Sequence, residues 1–456
     1  MLEAAKEKIR NQAVKGAIHY LSKNPERNLD RLTRLALNLA VQENHKQQIA
    51  QARQYLVDPS SNWHQLVVKT FKETNEQVRD RLLFNFVVNS VLHGIPKQQK
   101  LAAEFGFSVP WAILFDPTDR CNLKCRGCWA GEYRKRNDLP YEEMDRIVTE
   151  GESLGIHFYV VSGGEPLLCK EELLNLARSH PNSVFHIFTN ATLIDDDFAS
   201  RVVECGNMVF ALSIEGFEES TDARRGKGTF AQIMKAADIL REHGLVFGFS
   251  TTYTRQNVQE VMRDEYIDML IDQGFRFGWL FTYVPVGADC DLEYMATPEQ
   301  REQMYHKVKE WRQTKPIFIA DFWNDGAATQ GCIAGGRRYF HINAAGEAEP
   351  CAFVHYSAMN IKGNSLIKIL GNPLFRAYQK RQPFNDNMLR PCPIIDNPHK
   401  LVEVVEESQA YSTQVVPVSV QDLAASLEEY AVLWGQRADQ IWSQETAASL
   451  NNCKAV

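Results

Sequence analysis

The sequence of 456 residues contains no window approaching 18 uncharged apolar residues, so no membrane-spanning helix is expected. Its first residues, Met1-Leu-Glu-Ala-Ala-Lys, lack the apolar core of a signal peptide. With no such signal, ten cysteines argue for a reducing cytoplasmic setting and for metal ligation rather than disulfides. Composition has no extreme: 44% hydrophobic and 23% charged describe an ordinary globular chain, long enough for two or three domains. The net charge of −7 conceals an asymmetry, because residues 1–105 hold 16 basic against 10 acidic side chains and the remainder 34 against 47. A balance of +6 at one end suits either an ordinary solvated helical face or peripheral contact with an anionic surface; no nucleic-acid partner is expected.

What the chain does have is Cys121-Asn-Leu-Lys-Cys125-Arg-Gly-Cys128-Trp129, directly after the apolar run at 111–115. The spacing C-x3-C-x2-C at a strand exit can wrap three thiolates around one iron–sulfur cluster. Such clusters normally take four cysteines, so three leave one iron open to a substrate or cofactor. A structural zinc site would need a fourth ligand, and the nearest downstream histidine is His157.

Around this triplet the chain divides. Residues 1–105 read as a helical domain, with leucines near helical spacing and breaks at Asp58-Pro59 and Gly94-Ile-Pro96. From 106 to 315, short apolar runs at 111–115, 158–161, 184–188, 209–214, 247–253 and 275–283 alternate with helical segments at 141–154, 170–179, 198–205, 230–243 and 258–273. Six such units predict an α/β fold with a parallel sheet. In parallel barrels chemistry sits at the C-terminal strand ends. Ser162-Gly163-Gly164-Glu165-Pro166 follows the second run, Asn190 the third, Ser213 and Glu215 the fourth, and Tyr283-Val-Pro-Val286-Gly the sixth.

The triplet after a first strand and Gly163-Gly164-Glu165-Pro166 after a second resemble the radical SAM superfamily. The resemblance implies a partial (β/α)6 TIM-like barrel. It also implies a [4Fe-4S] cluster on Cys121, Cys125 and Cys128, with S-adenosylmethionine (SAM) chelated to its open iron. Reduction by a donor such as ferredoxin or flavodoxin would cleave SAM and start hydrogen abstraction. By the same resemblance Gly163, Gly164, Glu165, Pro166, Asn190, Ser213, Glu215 and Val286 line the cofactor. Arg225, or equally Arg224, is a candidate for the SAM carboxylate. One departure is that Gly127 stands where the family has an aromatic residue; Trp129 follows the third cysteine instead.

Residues 316–400 resemble a shortened SPASM, or twitch, extension that carries an auxiliary Fe–S cluster. Cys332 and Cys351 flank a hairpin turning at 343–346, and Cys392 follows. A full SPASM domain has a longer cysteine run, so one auxiliary cluster is expected, with Cys290, Cys453 or no residue as fourth ligand. Asp321 and Asp325 are candidates for substrate contact or a catalytic base, with a plain turn an equal alternative for Asp325. Residues 401–456 read as a helical tail. The substrate is open between a peptide, a lipid and a small molecule. An electron-carrying Fe–S protein is the non-enzyme alternative, against which residues 163–166 argue.

Overall fold

A computed structural model of the protein describes residues 2–39, 43–131, 137–287 and 290–454. The N-terminal region is helical as expected: α1 (Leu2–Lys23), α2 (Pro25–Leu39), α3 (Glu43–Val57), α4 (Asn62–Glu73), α5 (Glu76–Leu83), a π-helical stretch Phe84–Gly94, and α6 (Ile95–Phe105). Local chemistry sets these limits. Ser61 accepts from the Trp63 amide and Asn75 from Gln77 and Val78, capping α4 and α5. Gly106, in the left-handed region at φ 71°, ends α6.

The strands follow: β1 (Ala112–Phe115), β2 (Phe158–Val161), β3 (Val184–Thr189), β4 (Met208–Ser213), β5 (Phe247–Tyr253), β6 (Phe277–Thr282), β7 (Phe318–Asp321) and β8 (Tyr339–Ile342). All eight are parallel, in the order β7-β6-β5-β4-β3-β2-β1-β8, and β9 (Ala348–Glu349) runs antiparallel to β8. Between them lie α7 (Tyr141–Ser153), α8 (Lys170–Ser179), α9 (Asp196–Cys205), α10 (Glu218–Arg225), α11 (Thr229–Glu242), α12 (Val258–Val261), α13 (Asp264–Gln273), α14 (Pro298–Thr314) and α15 (Gly326–Thr329). The expected helix at 258–273 is two helices. Extended backbone at Arg263 starts α13 afresh, with Asp264 and Glu265 in its first turn. Asp264 there accepts from Trp311 Nε1 at 2.8 Å.

The sheet is an α/β barrel wall with more strands than the six expected. The two additions come from the segment read as an extension: β7 joins one edge beside β6, and β8 joins the other beside β1. The boundary at 316 therefore does not interrupt the sheet. The two edges approach each other through rings, Phe322 against Tyr339 at 6.2 Å and Trp323 against Phe353 at 5.0 Å. The hairpin turn at 343–346 is present, with the Gly346 amide donating to Asn343 O at 2.8 Å. Beyond it come β10 (Tyr356–Ser357), α16 (Leu366–Leu370), α17 (Pro373–Lys380), α18 (Pro398–Ser408), β11 (Tyr411–Ser412) and the long helix α19 (Val420–Lys454). No helix among the described residues is long and apolar enough to cross a membrane.

The N-terminal helices close the end of the barrel where strands begin. Asn62 Nδ2 donates to Arg312 O and Lys315 O, Lys69 to Ile271 O, the Asn75 amide to Gly244 O, and Gln98 to Gly155 O. Arg81 donates to Cys205 O, and Asn85 Nδ2 to Pro181 O and Ser183 O at 2.9 and 3.1 Å. These carbonyls precede β7, β6, β5, β2, β4 and β3 in turn. Phe86 adds ring contacts to Trp111 and Phe158. Helices α4–α6 are thus a floor, on the face where barrels build stability. Asn85→Ala should lower unfolding stability by about 1–3 kcal/mol, because it removes two hydrogen bonds at the barrel floor and takes from Pro181 O its donor, while Ser183 O keeps Asn207 Nδ2 at 3.1 Å. Guanidinium unfolding followed by circular dichroism measures it; an unchanged midpoint would show that this contact carries no weight.

Candidate active site

The three cysteines lie on the loop leaving β1. The loop is tied at its base: Thr118 Oγ1 donates to Asp138 at 2.5 Å, and the Asn137 amide to Asp119 at 3.0 Å. The segment after β2 is pressed onto it. The Gly164 amide donates to Thr118 O at 2.9 Å and the Glu165 amide to Arg120 O at 2.8 Å. Gly163 has φ 112°, and a Cβ there would stand 2.4 Å from Thr118 O. A Cβ on Gly164 would stand 2.0 Å from Arg120 O, one residue before Cys121. Both glycines are required by the close approach of two backbones.

Glu165 is fully buried and joins three elements. It accepts from the Leu167 amide (2.9 Å), Thr189 Oγ1 (2.6 Å) and the Asn190 amide (2.8 Å). Burial raises its pKa, and these bonds oppose the rise. Pro166 opens the short 3-10 turn that Glu165 caps. Asn190 Nδ2 donates to Asn122 at 2.8 Å and stands 4.0 Å from Cys121 Sγ.

Hydrogen-bond donors surround the sulfurs. The Leu123 amide donates to Cys121 Sγ at 3.4 Å, and Arg225 Nη1 lies 4.0 Å from Cys125 Sγ. Burial, then the neighbouring Glu165 and the other two thiols, pushes Cys121 up to about 11; burial also raises Cys128. Thiols so placed lose their protons readily only to positive charge, which is what iron supplies. Among the described residues no three His, Cys, Asp or Glu side chains close around a single metal ion. The donor set of three thiols, flanking N–H groups and one guanidinium fits a cluster held at three corners.

Glu215, at the exit of β4, is fully buried and held by two arginines. Arg224 Nη1 donates at 2.6 Å, Arg225 Nη2 at 2.7 Å, and Arg225 Nε to the second oxygen. Burial alone would raise the carboxyl pKa, but the guanidiniums of Arg225 and Arg224 hold it below the ordinary range. Arg225 is thus already paired with Glu215, and its reach toward Cys125 is its remaining direction. Ser213 is half-buried at the end of β4, and Val286 is buried. Gly287 presses on the cysteine loop, since a Cβ there would meet Cys128 O at 2.4 Å.

The structure also accounts for Gly127. At φ 63°, its missing side chain leaves room for the Tyr283 ring, whose Cε2 would be 2.6 Å from an added Cβ. Tyr283 fills the space beside the loop from just past the end of β6, 156 positions later, which local sequence could not announce. Trp129 turns the other way, against His341 (5.7 Å), Phe353 (6.0 Å) and His355 (6.3 Å). His341 bridges two buried carboxylates, Nε2 to Asp116 at 2.8 Å and Nδ1 to Glu349 at 2.7 Å. Burial would lower its pKa; the carboxylates win and push it up to about 10.

Cys332, Cys351 and Cys392 form a second group. Burial raises all three; Cys332 and Cys392 add to the rise at Cys351, and Asp396, then Cys332, add to that at Cys392, which reaches about 12. Tyr378 Oη lies 3.5 Å from Cys332 Sγ. The Cys392 loop is fixed by Asp396, which accepts from the Cys392 amide at 3.0 Å and pairs with fully buried Arg301 at 2.6 Å. Cys290 is elsewhere: exposed, it donates to Gly287 O beside the first cysteine loop. The Cys453 side chain lies outside the described residues.

Asp321 and Asp325 do not face the barrel interior. Asp321 pairs in register with Leu280, on the outer face of the sheet, and Asn324 donates to it at 2.7 Å. Asp325 accepts from the Asp321 amide (2.8 Å) and pairs with Arg312 of α14 (2.6 Å). The strand register, which alternates faces residue by residue, turns Asp321 from the barrel interior to the outer, helix-packed face.

Residues 115–265 match the profile of the Radical SAM superfamily. Fe-coproporphyrin III synthase of Methanosarcina barkeri is 33% identical over 154 residues, a match spanning 33% of this chain and 38% of that protein. Mycofactocin maturase MftC of Mycolicibacterium smegmatis is 26% identical over 280 residues, 58% of this chain and 69% of that one. Among solved structures, Streptococcus suis SuiB bound to S-adenosylmethionine superposes with a TM-score of 0.55 at 17% identity, covering 72% of this chain and 81% of that one. That likeness concerns the fold.

Gly164→Ala should displace the Arg120–Cys121 backbone. Equilibrium dialysis of the reconstituted variant should show SAM binding weakened at least ~10-fold, and normal binding would mean the close approach is dispensable.

Proposed function

We propose that the protein is an enzyme that reductively cleaves SAM and removes a hydrogen atom from its substrate. The observation that carries this reading is the interlocking of the cysteine loop with residues 162–166 through paired backbone hydrogen bonds. In this reading Cys121, Cys125 and Cys128 hold a [4Fe-4S] cluster. When bound and reduced by one electron, that cluster with SAM on its open iron supplies a 5′-deoxyadenosyl radical.

The chain's own residues do the rest. Glu165 fixes the strand exits of β2 and β3 in relation to each other. Glu215 orients Arg225 so that its free Nη1 points at Cys125, where positive charge steadies thiolate sulfur. Tyr283 and Gly287 brace the loop from β6. An electron carrier would need none of the narrow passage beside Gly163 and Gly164. The reductant in this reading is a one-electron donor of the ferredoxin or flavodoxin kind. The setting is the cytoplasm. The +6 balance of residues 1–105 supports peripheral contact with an anionic surface.

The proximity of buried Cys332 and Cys392 to Cys351, with Tyr378 beside Cys332, supports a second, auxiliary Fe–S cluster held at three corners. With Cys290 at the first loop, its fourth position has no cysteine among the described residues whose placement suits it.

Two measurements test this. Anaerobically reconstituted, dithionite-reduced protein should release 5′-deoxyadenosine, and Cys125→Ser should abolish release, because two thiolates cannot hold the open-iron form. Undiminished release in that variant would defeat the assignment. Iron analysis should give about 8 atoms per chain, and about 4 after replacing Cys121, Cys125 and Cys128 together. An iron-free triple variant would make the second cysteine group structural only.

A further inference from the structure

The inner face of the barrel is the largest feature that the chemistry above leaves unused. Register assigns alternate residues of β1–β8 to it, running from Ala112 and Leu114 through Phe158, His186, Ser213 and Trp279 to His341. In these eight strands that face carries no Lys, Arg, Asp or Glu. Aromatic rings dominate one side and meet across the barrel: His186 with Phe277 at 5.3 Å, Phe188 with Trp279 at 6.2 Å and with Phe281 at 6.1 Å.

Phe188, Phe277, Trp279 and Phe281 are only half-buried, while the outward neighbours Ile187 and Leu280 are fully buried. Leu114 and Val160, toward the other wall, are half-buried too. Interior side chains with accessible surface border open space, so the lumen is not filled by its own layers as a closed parallel barrel is. His186 is 4% exposed among the rings, and its Nε2 has no hydrogen-bond partner. Burial holds its pKa far down, at about 3, so it adds no charge.

The mouth continues the same chemistry. Beyond β11 the chain exposes Val415, Val416 and Val418, at 46%, 65% and 41%. This loop is pinned beside Trp129: Gln414 Nε2 bonds His355 Nδ1 at 2.9 Å, and Tyr356 Oη donates to Val418 O at 3.0 Å.

We propose that the lumen takes the hydrocarbon chain of an amphiphilic substrate, whose polar end stays at the mouth. The inference rests on the radical SAM reading and narrows its substrate. A peptide would carry an N–H and a C=O into the lumen with every residue, and the inner face offers few polar partners for them. A ring system bearing several carboxylates would need cations, and Arg224 and Arg225 are spent on Glu215. An apolar chain needs neither. Six residues of β6 span ~20 Å, room for a long chain lying along the strands.

Trp279 reports on this. Nitroxide-labelled stearic acids should quench the tryptophan fluorescence of the reconstituted holoprotein saturably. Quenching should depend on label position along the chain and shrink in Trp279→Phe. Ala211→Phe, which fills the inner face between β3 and β5, should weaken binding at least ~10-fold with iron content and circular dichroism unchanged. Val160→Phe does the same from the other wall should the first variant fold poorly. Quenching that is absent, unsaturable or independent of label position overturns the proposal, as does displacement of the fatty acid by a soluble peptide or by coproporphyrin. Release of 5′-deoxyadenosine by the wild type is scored separately. Its absence defeats the radical SAM reading, whereas release without saturable quenching defeats the lumen proposal alone.

Discussion

Strand β1 is held from both sides, by β2 and by β8, and everything chemical in this molecule hangs from that arrangement. The loop bearing the first three cysteines leaves β1, and the hairpin between Cys332 and Cys351 contains β8. Four residues of backbone pairing would be a modest clamp. The bridge of His341 between Asp116 and Glu349 reinforces it where water is excluded. Taking away one partner of such a buried ionic group costs about 3–5 kcal/mol, because the others are left uncompensated. The two cysteine groups are therefore fixed to the same pair of strands, and a shift at one would be felt at the other.

The floor and the mouth of the barrel answer to different constraints. Below, α4–α6 satisfy carbonyls that six strands would otherwise leave open. Above, small residues and paired glycines keep backbone close to backbone with space left over. Net charge near the mouth is largely spent internally: Glu215 on two arginines, Asp396 on Arg301, Asp325 on Arg312. This internal pairing leaves an inner surface rich in aromatic rings, whose one charged strand side chain, His341, is itself paired with Asp116 and Glu349.

Much of this was legible in the sequence, and the rest was hidden for physical reasons. The runs at 158–161 and 247–253 are strands at those bounds, because aromatic and β-branched residues there fit a pleated, partly buried sheet. The hairpin was legible from its turn residues. The pairing of β8 with β1 was not, since parallel partners more than 220 positions apart share no local signal. Nor was the side of the sheet on which Asp321 falls, which depends on register against Leu280, or the capture of Arg225 by Glu215, which depends on a helix returning over a strand exit. Tyr283 beside Gly127 is the same kind of fact: one residue's absence of side chain is explained by another's presence far along the chain.

The distance between β1 and β8 also imposes an order on synthesis. A ribosome releases the floor helices first and β1 soon after. The strand that covers the open edge of β1 emerges only after more than two hundred further residues, and contacts of such long separation form slowly. Until then the edge of β1 carries unpaired amides and carbonyls next to the first three cysteines. The nascent chain thus has an interval in which its first cysteine loop stands beside an open sheet edge that is vulnerable to misassociation, and the arrival of β8 ends it.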